Sequence, residues 1–180
     1  MHAVPRGRAG DPVERLVRFL IYLFVALALA LDAATKAIVS AHIPAYGSVQ
    51  VVPGLFNLVH AENPGIAFSF FVDENSAWRN PLLIAFSSAA SGFLIWLLWS
   101  HKNAPAMQRS AFALILAGAL GNLLDRIRHG AVTDFIEVHW GPHYFPAFNV
   151  ADSCITIGAF LLLLDVWRTR APQTESHRVP

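Results

Sequence analysis

The residues of this chain able to do acid–base chemistry are few, and they sit at the edges of apolar runs. Asp32 and Lys36 stand four apart, Asn122 shortly precedes Asp125 and Arg126, and Asn149 precedes Asp152 by three positions. Asn63 and Asp134 lie in polar segments between such runs. Carboxylates beside carboxamides can hold or pass a proton, bind a cation, or activate a water against a carbonyl. Each group also has an ordinary explanation. Asp32 and Lys36 at i, i+4 match a surface helix pair worth ~0.3–0.5 kcal/mol. Asp125 and Arg126 could mark a membrane interface, and Asn149 with Asp152 could cap a helix. Other chemistries are poorly supplied: the single Cys154 permits no internal disulfide and has no zinc-type Cys/His spacing around it. The scattered histidines form no HExxH pattern.

The elements that must position these groups are membrane helices. The 180 residues are 55% hydrophobic and 14% charged, against about 25% charged in a soluble domain. A formal net charge of +1 gives no electrostatic footprint for nucleic acid. Four apolar stretches, over about 16–38, 81–99, 106–124 and 151–167, predict four spans in one polytopic domain covering 1–180. The first follows Arg6, Arg8, Arg15 and Arg18 and contains Ala28-Leu29-Ala30, a pattern shared with cleavable signal peptides. Three further spans and the polar Asp32 and Lys36 just beyond favour a retained helix. Lys102, Arg109, Arg168, Arg170 and Arg178 fall on the same side as the N-terminal arginines, so both termini are expected in the cytoplasm. Trp96, Trp99 and Trp167 would anchor that interface.

The outer segments, 41–79 and 125–150, are expected to fold. Residues 48–59 predict two short strands around Pro53-Gly54, and 66–72 could add an extended piece. Residues 132–148, with aromatics and two prolines, suit a loop or helix lying on the membrane surface; residues 169–180 are expected to be a disordered tail. The expected fold class is therefore an all-α membrane protein of four transmembrane helices, with a small extracytoplasmic β-rich element. Alternating chain direction brings the ionisable residues to one membrane level. A proton- or cation-coupled transporter and a non-catalytic scaffold both remain open on these grounds.

Six stretches narrow the choice: Asp32-Ala-Ala-Thr-Lys36, Pro53-Gly-Leu-Phe-Asn-Leu58, Glu62-Asn-Pro-Gly-Ile-Ala-Phe68, Gly121-Asn-Leu-Leu-Asp-Arg126, Val132-Thr-Asp-Phe-Ile136 and Phe148-Asn-Val-Ala-Asp152. In that order and spacing the chain resembles the lipoprotein signal peptidases (signal peptidase II), aspartyl endopeptidases of the bacterial inner membrane. The resemblance implies cleavage of diacylglyceryl-modified prolipoproteins just before the modified cysteine, without metal or cofactor. It implies Asp134 and Asp152 as the catalytic pair, with Asp125 the competing candidate for the first place. It also implies Asp32, Lys36, Asn63, Gly65, Asn122, Asp125, Arg126, Asn149 and Ala151 as residues that shape the site or contact substrate. Membrane lipid and the cyclic peptide inhibitor globomycin are the further partners implied, at a periplasmic active site in a monomer. One departure is Ile66, where the family commonly has a small residue.

Overall fold

The computed structural model describes residues 12–65, 78–102 and 104–170. The order of elements is α1 (Pro12–His42), β1 (Ser48–Val52), β2 (Phe56–Asn63), α2 (Arg79–Ser100), α3 (Ala106–His129), β3 (Val132–Trp140), β4 (His143–Tyr144) and α4 (Val150–Arg170). Ile66, the extended piece expected at 66–72 and the last ten residues of the tail lie outside the described residues.

All four helices are long and apolar enough to cross a membrane. α1 begins before the expected span and ends after it, because helical hydrogen bonding continues through flanking polar residues that hydropathy excludes. α3 is the least apolar, with mean hydropathy 1.4 against 1.8–2.2 in the others, and half of its apolar stretch is buried inside the protein. Only 6–11% is buried in the other three. α3 therefore meets protein where its neighbours meet lipid, and needs less hydrophobicity to be stable there. α1, α2 and α4 all pack on this central helix.

The α3–α4 seam is made by small residues, which let two backbones approach closely. A Cβ on Gly118 would collide with the Ala151 carbonyl and lie 2.7 Å from Ile155 Cγ1. One on Gly158 would lie 2.6 Å from Ile115 Cγ1 and 2.8 Å from the Ala111 carbonyl oxygen. At Gly121 it would come within 2.7 Å of Asp32 Oδ2.

The polar segments join into one antiparallel sheet of order β1-β2-β3-β4. β1 and β2 flank the Pro53-Gly54 turn as the sequence predicts. Residues 132–148 differ from the surface loop or helix expected: β3 pairs along β2, and β4 folds back on β3. Gly130 starts this excursion, ending α3 in the left-handed conformation at φ 79° with its N–H on the Arg126 carbonyl at 3.1 Å. The chain then returns past β3, where Phe148 exchanges backbone hydrogen bonds with Ile136 at 2.8 and 3.0 Å. That bridge fixes where Asn149 and α4 begin. Val39, Ile43 and Phe135 form a small buried cluster between α1 and the sheet.

Candidate active site

Asp134 projects from β3 and is 2% exposed. Its Oδ1 accepts a hydrogen bond from Asn149 Nδ2 at 2.8 Å, and its Oδ2 accepts one from Asn63 Nδ2 at 2.9 Å. The Asn63 amide is oriented by the backbone beyond it: Gly65 N–H donates to Asn63 Oδ1 at 2.8 Å. Gly65 stands at φ 93°, where an L side chain is strained, and a Cβ there would strike Leu83. The Asn-Pro-Gly motif thus aims one carboxamide at one carboxyl. Burial raises the Asp134 carboxyl from its usual 3.8 to about 6; the Asn63 hydrogen bond opposes this, the Asp152 charge adds to it, and Asn149 and Lys36 oppose it.

Asp152 lies in the first turn of α4. Asn149 caps that turn reciprocally, as its sequence position foretells: Asp152 N–H donates to Asn149 Oδ1 at 2.9 Å, and Asn149 N–H donates to Asp152 Oδ2 at 3.2 Å. The same Asn149 therefore touches both aspartates. It is also 0% exposed, with its Nδ2 within 3.2 Å of Asn122 Oδ1 and 3.3 Å of the Thr133 carbonyl oxygen. Asn122 Nδ2 completes the set, donating to Asp152 Oδ1 at 2.7 Å.

Beneath this layer lies a buried charge cluster. Lys36 Nζ is 2.7 Å from Asp32 Oδ2, 2.9 Å from Asp125 Oδ2 and 3.2 Å from Asn122 Oδ1. Lys36 and Asp32 are only 4% and 3% exposed, so they are not the surface pair that their spacing allowed. Asp32 Oδ1 accepts the Ala151 N–H at 2.9 Å, tying α1 to the start of α4. Asp125 is ion-paired, but to Lys36 rather than to its neighbour Arg126, and it also accepts the Thr133 N–H at 3.2 Å. Arg126 Nη1 donates to the Asn122 carbonyl at 3.3 Å, while its buried Nε has no hydrogen-bond partner among the described residues.

The residues singled out in the sequence are thus brought together from α1, β2, α3, β3 and α4. Among the described residues, no group of three or more His, Cys, Asp or Glu side chains is placed to share a metal ion. Asn149 joins a buried carboxyl to a half-buried one, holding Asp134 through its carboxamide and Asp152 through its backbone N–H, and two carboxyls so held can share a proton and act on a water and a carbonyl in turn.

The family model for signal peptidase II matches residues 24–168. The chain belongs to the signal peptidase II family. It is 41% identical over 155 residues to a lipoprotein signal peptidase of Syntrophotalea carbinolica, covering 86% of this chain and 95% of that one. A lipoprotein signal peptidase of Pseudomonas paraeruginosa is 41% identical over 166 residues, covering 92% and 98%. A solved bacterial membrane enzyme superposes with a TM-score of 0.75 at 26% identity, covering 87% of this chain and 92% of that one. A second superposes with a TM-score of 0.69 at 27% identity, covering 82% and 92%. As a signal peptidase II, the chain is a membrane-spanning peptidase.

Two contributors to the candidate site of this signal peptidase II escaped the sequence. Thr133 acts through its backbone, giving its N–H to Asp125 and its carbonyl to Asn149, so its side-chain type carries no trace of the role. Beside Asp152 opens a cavity of about 460 Å³ lined by Phe145, Phe148, Asp152, Ser153, Thr156 and Ile157. Its aromatic wall comes from the segment expected to lie on the membrane surface.

Proposed function

We propose that Asp134 and Asp152 are the catalytic pair of a peptidase that removes signal peptides from prolipoproteins, cutting before a cysteine already modified with diacylglycerol. The bridging of both carboxyls by Asn149 carries this reading. Two nearby carboxyls cannot ionise independently, so the pair holds one proton at working pH and titrates as a unit. Burial favours that proton on Asp134. Asp152 then takes a proton from the attacking water, while Asp134 donates a hydrogen bond to the scissile carbonyl. The tetrahedral intermediate collapses as a proton passes to the leaving amine, and the cleaved peptide leaves a free carboxyl and a new N-terminus. Asn63, Asn122 and Asn149 hold the pair in place, and the Lys36 cluster supports Asn122.

The topology that fits this role is a single domain in the bacterial inner membrane with both termini cytoplasmic. The sheet and the aspartates then sit at the periplasmic face. The substrate enters laterally with its lipid still in the bilayer, and water reaches the site from outside. The enzyme acts as a monomer, without metal or cofactor, and globomycin competes for the same site.

The test is cleavage of a diacylglyceryl-modified precursor by the purified chain in lipid nanodiscs, beside an unmodified control. Cleavage of only the modified precursor is expected, blocked by globomycin and reduced about 10³-fold or more by Asp134→Asn or Asp152→Asn. Wild-type turnover by Asp152→Asn would remove the pair, and equal cleavage of the unmodified control would remove the substrate class.

A further inference from the structure

At the end of the helices remote from the aspartates, three cationic side chains surround a cleft. Arg18 of α1, Lys102 of the α2–α3 turn and Arg109 of α3 line it, together with Tyr22, Leu98 and Trp99. Arg18 stands fourteen residues before Asp32 on one helix, about 21 Å along its axis at 1.5 Å per residue. Glu14, 3.8 Å from Arg18, offsets one of the three charges and leaves a positive excess. Arg109 gives one Nη1 hydrogen to the Lys102 carbonyl at 3.1 Å, and its buried Nε has no hydrogen-bond partner among the described residues.

This cationic cleft runs directly into an apolar groove, because Tyr22, Leu98 and Trp99 line both. The groove has a volume of about 310 Å³ and is otherwise lined by Gly92, Ile95, Trp96 and Leu116. It exists because α1 and α2 each pack on α3 rather than on each other. Gly92 lines it without a side chain, and a Cβ there would meet no protein atom within 4 Å. A positive mouth above an apolar channel facing lipid has the chemistry of a phospholipid with unbalanced negative charge. Guanidinium and ammonium groups bind its phosphodiester, and basic pockets between transmembrane helices commonly select anionic headgroups. Exposed Tyr22 and Trp99 stand at the level where aromatic rings meet headgroups.

We propose that Arg18, Lys102 and Arg109 bind the phosphodiester of an anionic phospholipid, one acyl chain of which lies in the groove between α1 and α2. None of these residues belongs to the aspartate site, so the lipid is a resident of the fold and not the substrate.

Native mass spectrometry of the detergent-solubilised full chain tests this, with palmitoyl-oleoyl phosphatidylglycerol titrated against palmitoyl-oleoyl phosphatidylcholine. Phosphatidylglycerol is expected to bind about tenfold or more tightly, and millimolar glycerol 3-phosphate is expected not to displace it. Each neutralised cation should weaken it about fivefold, so Arg18→Gln with Lys102→Gln should erase the preference for phosphatidylglycerol over phosphatidylcholine. Gly92→Leu fills the groove without touching the charges, and should weaken phosphatidylglycerol severalfold at unchanged thermal stability. Equal binding of the two lipids by the wild type, or an undiminished preference in the double variant, overturns the site. Displacement by glycerol 3-phosphate overturns a lipid occupant, and full affinity in Gly92→Leu overturns the acyl groove.

Discussion

Replacing Lys36 with Met isolates the buried charge cluster, because Met keeps the length of the stem and removes only the ammonium. Lys36 is 4% exposed and is the ion-pair partner of Asp32 and Asp125 at 2.7 and 2.9 Å. Without it two carboxylates face each other in a low-dielectric interior. Removing one partner of a buried ion pair costs about 3–5 kcal/mol, mostly because the remaining charge is stranded. That range corresponds to a fall in unfolding midpoint of about 6–20 °C for a chain of this size. A second effect reaches the site. Asn122 Oδ1 accepts from both Lys36 and Asn149, which fixes its Nδ2 toward Asp152 at 2.7 Å. With the ammonium gone the carboxamide loses one of the two donors that hold this orientation, so turnover should fall even in the fraction that stays folded. Thermal unfolding in detergent, followed by tryptophan fluorescence, reads the first effect, and single-turnover cleavage reads the second. Adding Asp32→Asn and Asp125→Asn to Lys36→Met removes the stranded charges and should recover half or more of the lost stability. The carboxamide oxygen that Asp32→Asn leaves in place can still accept the Ala151 N–H. A Lys36→Met protein within about 1 kcal/mol of wild type, or a triple variant no more stable than the single, would refute the reasoning.

Other expectations follow from the same geometry. The Asp134 carboxyl titrates at about 6, above its ordinary 3.8, so the fold favours its neutral form; that stability is present below the unfolded value and lost as pH rises through about 6, a change of about 3 kcal/mol. The difference in unfolding free energy between wild type and non-titrating Asp134→Asn should therefore drift by that amount between acid and neutral pH, and a flat difference would contradict the shift. Cleavage should likewise decline as pH rises through about 6, when the pair loses the proton that Asp134 donates; a kcat/KM profile level into the alkaline range would contradict this assignment. Gly65→Ala places a methyl group at φ 93° against Leu83, which should cost about 1–2 kcal/mol locally and lower kcat/KM by loosening Asn63; unchanged kinetics would contradict its role in aiming that amide. Gly118→Val should destabilise the α3–α4 seam by about 1–3 kcal/mol, while Gly92→Val, in open space, should be close to neutral in a paired unfolding assay.

The four helices were legible because lipid imposes a composition that sequence displays directly, and β1 and β2 were legible from alternation around Pro53-Gly54. β3 was not, because its strand state comes from pairing with β2, 69 to 82 residues earlier in the chain. Asp32 and Lys36 show the same limit at the scale of a site. Their spacing is identical for an exposed pair and a buried one, and the difference is made by α3 and α4 closing over them. Asp125 has Arg126 next to it in sequence but Lys36 next to it in space, since adjacent helix residues point apart. Asn149 was recognisable as a cap because capping is local; its contacts with Asp134 and Asn122 depend on the chain path past Phe148.

Asn149 also sets the timing of danger. Asp134 is held by the sheet and Asp152 by the last helix, and the residue that joins them is the cap on which that helix starts. On the proposed assignment, no hydrolytic centre exists until α4 is seated against α3, because only then does Asn149 join the two carboxyls. A peptidase built on that pair would stay inactive among the helices of other membrane proteins during its own insertion, and would be armed only by finishing its fold.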